Sequence, residues 1–76
     1  MDEEIVQIMS ATFNIPAESI KDDLEYQSIP QWDSISHMLL ISDLETHFNI
    51  VIDTDDVINL SSVGKAKEIL KKYLAK

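Results

Sequence analysis

The chain has no cysteine, so neither a disulfide framework nor a thiolate metal site is open to it. No apolar run exceeds four residues, and nothing reads as a membrane span. Cations are scarce: six lysines and no arginine stand against 14 acids, for a net charge of −8. The first residues, Met1-Asp2-Glu3-Glu4, are acidic where a signal or transit peptide would be basic, so a cytoplasmic location is expected. With 76 residues the chain is expected to form one domain over 1–76. A chain this short buries only about 60% of its unfolded surface, which excludes most enzymes that need a deep, dry cleft. Its 45% apolar content is too high for a disordered segment.

The charge is unevenly spread. Residues 1–60 hold thirteen acids against one base, Lys21, giving −12, while residues 61–76 hold five lysines against Glu68, giving +4. The acidic portion repels nucleic acid and steers basic partners. The bland alternative is that these acids keep a small domain soluble.

Apolar spacing predicts helices. At about 100° per residue, Ile5, Val6, Met9 and Phe13 share a face, predicting helix one over 3–14. Asn14-Ile15-Pro16 ends it, because proline disfavours helix in the residue before it. Residues 15–32 show no sustained period and predict a long loop, with Ile15, Ile20, Leu24, Tyr26 and Ile29 as scattered anchors and a short helical turn near Pro16–Ile20. A second helix over 34–48 carries Leu40, Ile41, Leu44 and Phe48 as core, with Asp33 as its N-cap and Asn49 at its end. A short third helix over Asp53–Asn59 turns Val57, Ile58 and Leu60 inward. A last helix over 62–75, capped by Ser61 or Ser62, groups Val63, Ala66, Ile69, Leu70, Tyr73 and Leu74. The fold class is therefore all-α: a small four-helix bundle with a long first loop and a short third helix.

The second helix carries a further apolar stripe. Ile35, Met38, Leu39 and Ser42 lie at about 160–260° from Leu40, outside the core arc. Four short helices rarely cover both sides of one of them, so an exposed patch rimmed by Asp43 and Glu45 is expected to receive a partner. Alternatively the 15–32 loop folds over this side and makes it core. Ser34 opens the same helix, where the backbone N–H groups and the dipole favour a phosphate. Most serines at helix starts are simply caps.

The run Trp32-Asp33-Ser34-Ile35, then Leu39-Leu40-Ile41 and Leu44-Glu45-Thr46-His47-Phe48, resembles the acyl carrier protein family, whose Asp-Ser-Leu opens a helix ending in Leu-Glu-x-x-Phe. The likeness spans nearly the whole chain. It implies a carrier that is no enzyme itself. Ser34, beside Asp33, would accept 4'-phosphopantetheine from coenzyme A through a phosphopantetheinyl transferase. The arm's thiol would hold acyl or aminoacyl groups as thioesters for loading and transferring enzymes. Tethering raises their effective concentration at each partner site. Ile35, Met38, Leu39, Ser42, Asp43 and Glu45 would supply the docking face. A monomer is expected, with neither nucleic acid nor membrane as partner. Departures from the family pattern are Ile35 for leucine, Leu39 at an often acidic position, Ser42 at an often larger apolar one, and Pro30-Gln31-Trp32 where a glycine is frequent. Trp-Asp-Ser followed by His37 is similar to stand-alone bacterial carriers of specialised pathways, such as secondary-metabolite or surface-polysaccharide synthesis.

Rival readings are weaker. A Ser34–His37 hydrolase lacks a third group and a cleft; His37 is expected at the edge of the core and His47 in solvent. An EF-hand counted from Asp53 fails, with Ile58 and Gly64 where glycine and glutamate are needed. Trp32 reads as a loop anchor. The alternative function is an acidic helical adaptor with no prosthetic group.

Overall fold

The computed structural model describes residues 2–75. Among the described residues four helices occur in order: α1 (Asp2–Phe13), α2 (Ser34–Phe48), α3 (Thr54–Asn59) and α4 (Val63–Leu74), with a 3-10 turn at Ala17–Ser19 in the first connection. No described helix is long and apolar enough to cross a membrane.

Each helix stops for a local reason. Asn14 adopts a left-handed φ of 57°, which ends α1. The chain then folds back, with the Ile15 N–H donating to the Ser10 carbonyl at 3.2 Å and the Ser10 hydroxyl to the Ile15 carbonyl at 2.6 Å. Asn49, at φ 55°, closes α2 in the same way. At the start of α4, the Ser62 hydroxyl accepts from the Lys65 N–H at 3.1 Å. Asp53 stands before α3 without a side-chain capping bond.

The helices meet along their apolar stripes. Ile5, Met9 and Phe13 of α1, Leu40, Ile41 and Leu44 of α2, and Val63, Ala66, Ile69 and Leu70 of α4 are buried together. The connections seal this core with Ile20, Trp32, Ile52 and Leu60. Several residues assigned inward sit at its edge instead: Val6, Phe48, Val57, Tyr73 and Leu74 are half-buried. Ile58 overturns its expectation outright, being 71% exposed. Successive helical residues point about 100° apart, so a helix that turns Val57 inward and is followed by buried Leu60 leaves Ile58 facing water.

The long first connection is ordered because it pairs with the entry to α4. Tyr26 N–H donates to the Ser61 carbonyl, Val63 N–H to the Leu24 carbonyl and Gly64 N–H to the Asp22 carbonyl, at 2.9, 3.0 and 2.9 Å. A Cβ at Gly64 would lie 3.2 Å from the Asp22 carbonyl oxygen, so glycine lets the two backbones close. Fixed there, the connection leaves the outer stripe of α2 uncovered: Ile35, Met38 and Leu39 are 72%, 59% and 55% exposed.

Candidate functional site

The start of α2 is built by three consecutive residues with different tasks. Trp32 is fully buried; its ring lies 5.0 Å from Phe13 and 6.3 Å from Tyr26 between centroids. Asp33 is extended, at φ −103° and ψ −174°, and its Oδ1 accepts from the Ser36 N–H at 2.8 Å. Its carbonyl accepts from the His37 N–H at 2.8 Å and so starts the helical ladder. The Ser36 backbone N–H, foremost, holds the Asp33 carboxyl below the ordinary aspartate range. With the tryptophan anchored inward and the aspartate capping, Ser34 opens the helix in the exposed position. Its hydroxyl makes no hydrogen bond among the described residues.

One turn on, His37 is buried, not at the core edge as the sequence led us to expect. Its Nδ1 accepts from the Trp32 indole N–H at 3.0 Å, and its Nε2 lies 2.9 Å from the Val57 carbonyl. An accepting Nδ1 leaves the proton on Nε2, which therefore donates to Val57. Both ring nitrogens are engaged, so His37 has none left to act as a base for Ser34. Val57 lies in the last turn of α3, where carbonyls lack helical partners, and His37 supplies one. Sequence reasoning missed this pair, because its partners lie in a loop and in another helix. The Trp32–His37 spacing of five fits no helical or strand period that would have flagged it.

The remaining residues of the outer face divide by what they touch. Ile35, Met38, Leu39 and Ser42 are exposed. Asp43 is exposed, and its Oδ2 accepts from the Thr12 hydroxyl at 2.9 Å, joining α2 to α1. Glu45 is half-buried, and its Oε2 accepts from the Ile52 N–H at 2.8 Å. That bond holds the 50–53 segment to α2, a structural task not foreseen for a rim residue. His47, expected in solvent, is exposed and contacts Glu4 at 2.7 Å; that hydrogen bond, foremost, holds the Glu4 carboxyl below its ordinary range.

On the opposite side of α3, Asp56 Oδ2 accepts from Lys72 at 2.8 Å and from the Tyr73 hydroxyl at 2.6 Å. Tyr73 in turn accepts from the Asp53 N–H at 2.9 Å. The Lys72 ammonium, then the Tyr73 hydroxyl, hold the Asp56 carboxyl below its ordinary range, and Asp56 pushes Lys72 and Tyr73 above theirs. The acids around Asp53 do not gather about a point: among the described residues no three His, Asp or Glu side chains are placed to hold a metal ion.

An exposed hydroxyl at the N-terminus of a 15-residue helix suits a phosphodiester, because the helix end favours an anion and the site leaves room for a modifying protein. Residues 3–70 match the family described as phosphopantetheine attachment site. An acyl carrier protein of Lactobacillus johnsonii is 36% identical over 70 residues, covering 92% of this chain and 88% of its own. One of Beutenbergia cavernae is 29% identical over 62 residues, covering 82% and 76%. Among solved structures, the holo acyl carrier protein from Geobacter metallireducens superposes with a TM-score of 0.86 at 28% identity, over 97% of this chain and 85% of that one. A Mycobacterium tuberculosis chain shares the fold at 22% identity, with a TM-score of 0.85 over 95% and 96% of the two chains. With its helix order, its exposed serine behind an aspartate cap and this match over residues 3–70, the chain belongs to the phosphopantetheine attachment-site family: it is an acyl carrier bearing covalent 4'-phosphopantetheine, and not an enzyme.

Proposed function

We propose that Ser34 is the residue that bears the arm, and that a phosphopantetheinyl transferase loads it. The observation that carries this reading is the exposure of Ser34 between a buried Trp32 and a helix-capping Asp33. In loading, Ser34 Oγ forms a bond to the pantetheine-linked phosphorus of coenzyme A, the pyrophosphate P–O bond breaks, adenosine 3',5'-bisphosphate leaves, and the serine proton passes to the transferase. The arm ends in a thiol, which holds acyl groups as thioesters. Asp33 fixes the first turn of α2, and the helix end favours the new phosphodiester.

The same reading gives the outer face of α2 to the enzymes that load and unload the thiol. Ile35, Met38 and Leu39 offer apolar contact, Ser42 a small polar spot and Asp43 negative charge toward basic partners. Glu45 adds charge at the edge while its carboxylate holds Ile52.

Intact mass tests the loading step. Incubation with coenzyme A, magnesium and a broad-specificity transferase is expected to add one phosphopantetheine, and Ser34→Ala to abolish the gain. A full gain in the Ser34→Ala protein would overturn the assignment. An adaptor without a prosthetic group would show no gain in either.

A further inference from the structure

A thioester hung on Ser34 raises the question of where its acyl group rests. A long alkyl chain avoids water and would enter any apolar seam it reached. α2 and α3 meet one turn from Ser34, and two hydrogen bonds and a ring contact close the seam between them. His37, one turn along α2 from Ser34, donates to the Val57 carbonyl of α3 at 2.9 Å, and Trp32 donates to the other ring nitrogen, Nδ1, at 3.0 Å. Tyr26 packs beside the imidazole, with ring centroids 4.9 Å apart. Trp32 is wholly buried and His37 nearly so. On its far side α3 is held to α4 by Lys72 and Tyr73 on Asp56, and Tyr73 also holds the Asp53 N–H. A chain threading between α2 and α3 would therefore leave an indole N–H, an imidazole and a carbonyl buried without partners, a penalty that opposes the gain from burying methylenes.

The groove between α3 and α4 offers poor shelter as well. The groove of about 390 Å³ between α3 and α4 is walled by Asp56, Lys65, Glu68 and Lys72 as well as Ile58 and Ile69, and no residue of α2 lines it. Charged walls suit an alkyl chain poorly.

We propose that this carrier holds its cargo outside the bundle, and that the cargo is an acyl group short or polar enough to remain in water, such as a small hydroxyacyl or aminoacyl group. The proposal rests on the assignment of Ser34 as the attachment point. It assigns a substrate class to that site: groups that need no apolar shelter.

The test uses the intact protein, loaded by the transferase from acetyl- and from dodecanoyl-coenzyme A. Intact mass shows first whether each arm is attached, so failure of the Ser34 assignment appears there, separately. The melting temperature and the indole N–H resonance of Trp32 are then compared between the two loaded forms. The expected result is an unchanged indole resonance, melting temperatures equal within about 2 °C, and markedly stronger retention of the dodecanoyl form on a hydrophobic-interaction column. A dodecanoyl form melting more than about 5 °C higher, with a displaced indole resonance and no added retention, would overturn the proposal.

Discussion

The indole N–H of Trp32 donates to Nδ1 of His37 at 3.0 Å, and through the far nitrogen of that ring the contact extends to Val57 at 2.9 Å. Three segments that local sequence patterns treat separately are thereby joined: the end of the first connection, the first turns of α2 and the last turn of α3. Replacing His37 with alanine empties a buried site and orphans both partners, so a loss of about 2–4 kcal/mol is expected in urea unfolding. Trp32→Phe keeps most of the ring packing and removes only the donor, so a smaller loss of about 1–2 kcal/mol is expected. The double variant should lose less than the sum, because both single changes break one shared bond. Strict additivity would show that the bond carries no coupling.

The outer face and the core side of α2 should respond differently to charge. Met38→Glu places a carboxylate where the side chain already meets water, so stability should stay within about 0.5 kcal/mol of the parent. Its transferase kcat/KM should fall by about tenfold if Met38 lies at the centre of the docking face. Glu45→Lys removes the acceptor for the Ile52 N–H and should lower stability by roughly 1–2 kcal/mol, whatever it does to docking. Urea unfolding of both variants, beside steady-state loading rates, separates the two effects.

That contrast marks how far the sequence can be read. The four helices were legible because Ile5, Met9 and Phe13, or Leu40 and Leu44, recur at helical spacing and need one common core. The caps Asp33 and Ser62 were legible for the same local reason. The exposure of Ile35, Met38 and Leu39 followed from geometry, since too few helices exist to cover both sides of α2. What the sequence hid is held together across the chain. His37 needs Val57 twenty residues away, and Glu45 needs the Ile52 N–H after a turn. Gly64 needs the Asp22 carbonyl, brought up by a connection with no period of its own. Ile58 was misplaced because a six-residue helix is too short for its buried face to be read from spacing.

The clamp between α3 and α4 gives stability a defined pH window. The Asp56 carboxyl is held below its ordinary range, chiefly by Lys72 and then by Tyr73, so its contribution is fully present above the unfolded aspartate pKa and is lost as pH falls through the lower folded value. Lys72 is pushed up by Asp56, so its contribution holds below the unfolded lysine pKa and is lost as pH rises through the higher folded value. The melting temperature of Asp56→Asn should therefore lie below the parent's between about pH 4 and pH 10, and approach it under stronger acid. A gap that persists undiminished at about pH 2 would assign the effect to packing and not to charge.

The acids of residues 1–60 repel one another across a small surface, with only Lys21 among them. Sodium chloride at about 0.15 M shortens the reach of that repulsion to roughly 8 Å, so the melting temperature should rise from its low-salt value. Magnesium chloride at equal ionic strength should produce no saturable extra step, since the described acids form no metal cluster. An unchanged melting temperature in both salts would show the acids to be too dispersed to matter.

The central claim is that the arm hangs from Ser34. Fragment-level mass spectrometry of the transferase-loaded protein tests it most directly, because Ser36 and Ser42 lie on the same helix and compete as acceptors. The account predicts the phosphopantetheine mass on the fragment ending between Ser34 and Ile35 and on no fragment that excludes Ser34. Its appearance on Ser36, Ser42 or any other residue would contradict it.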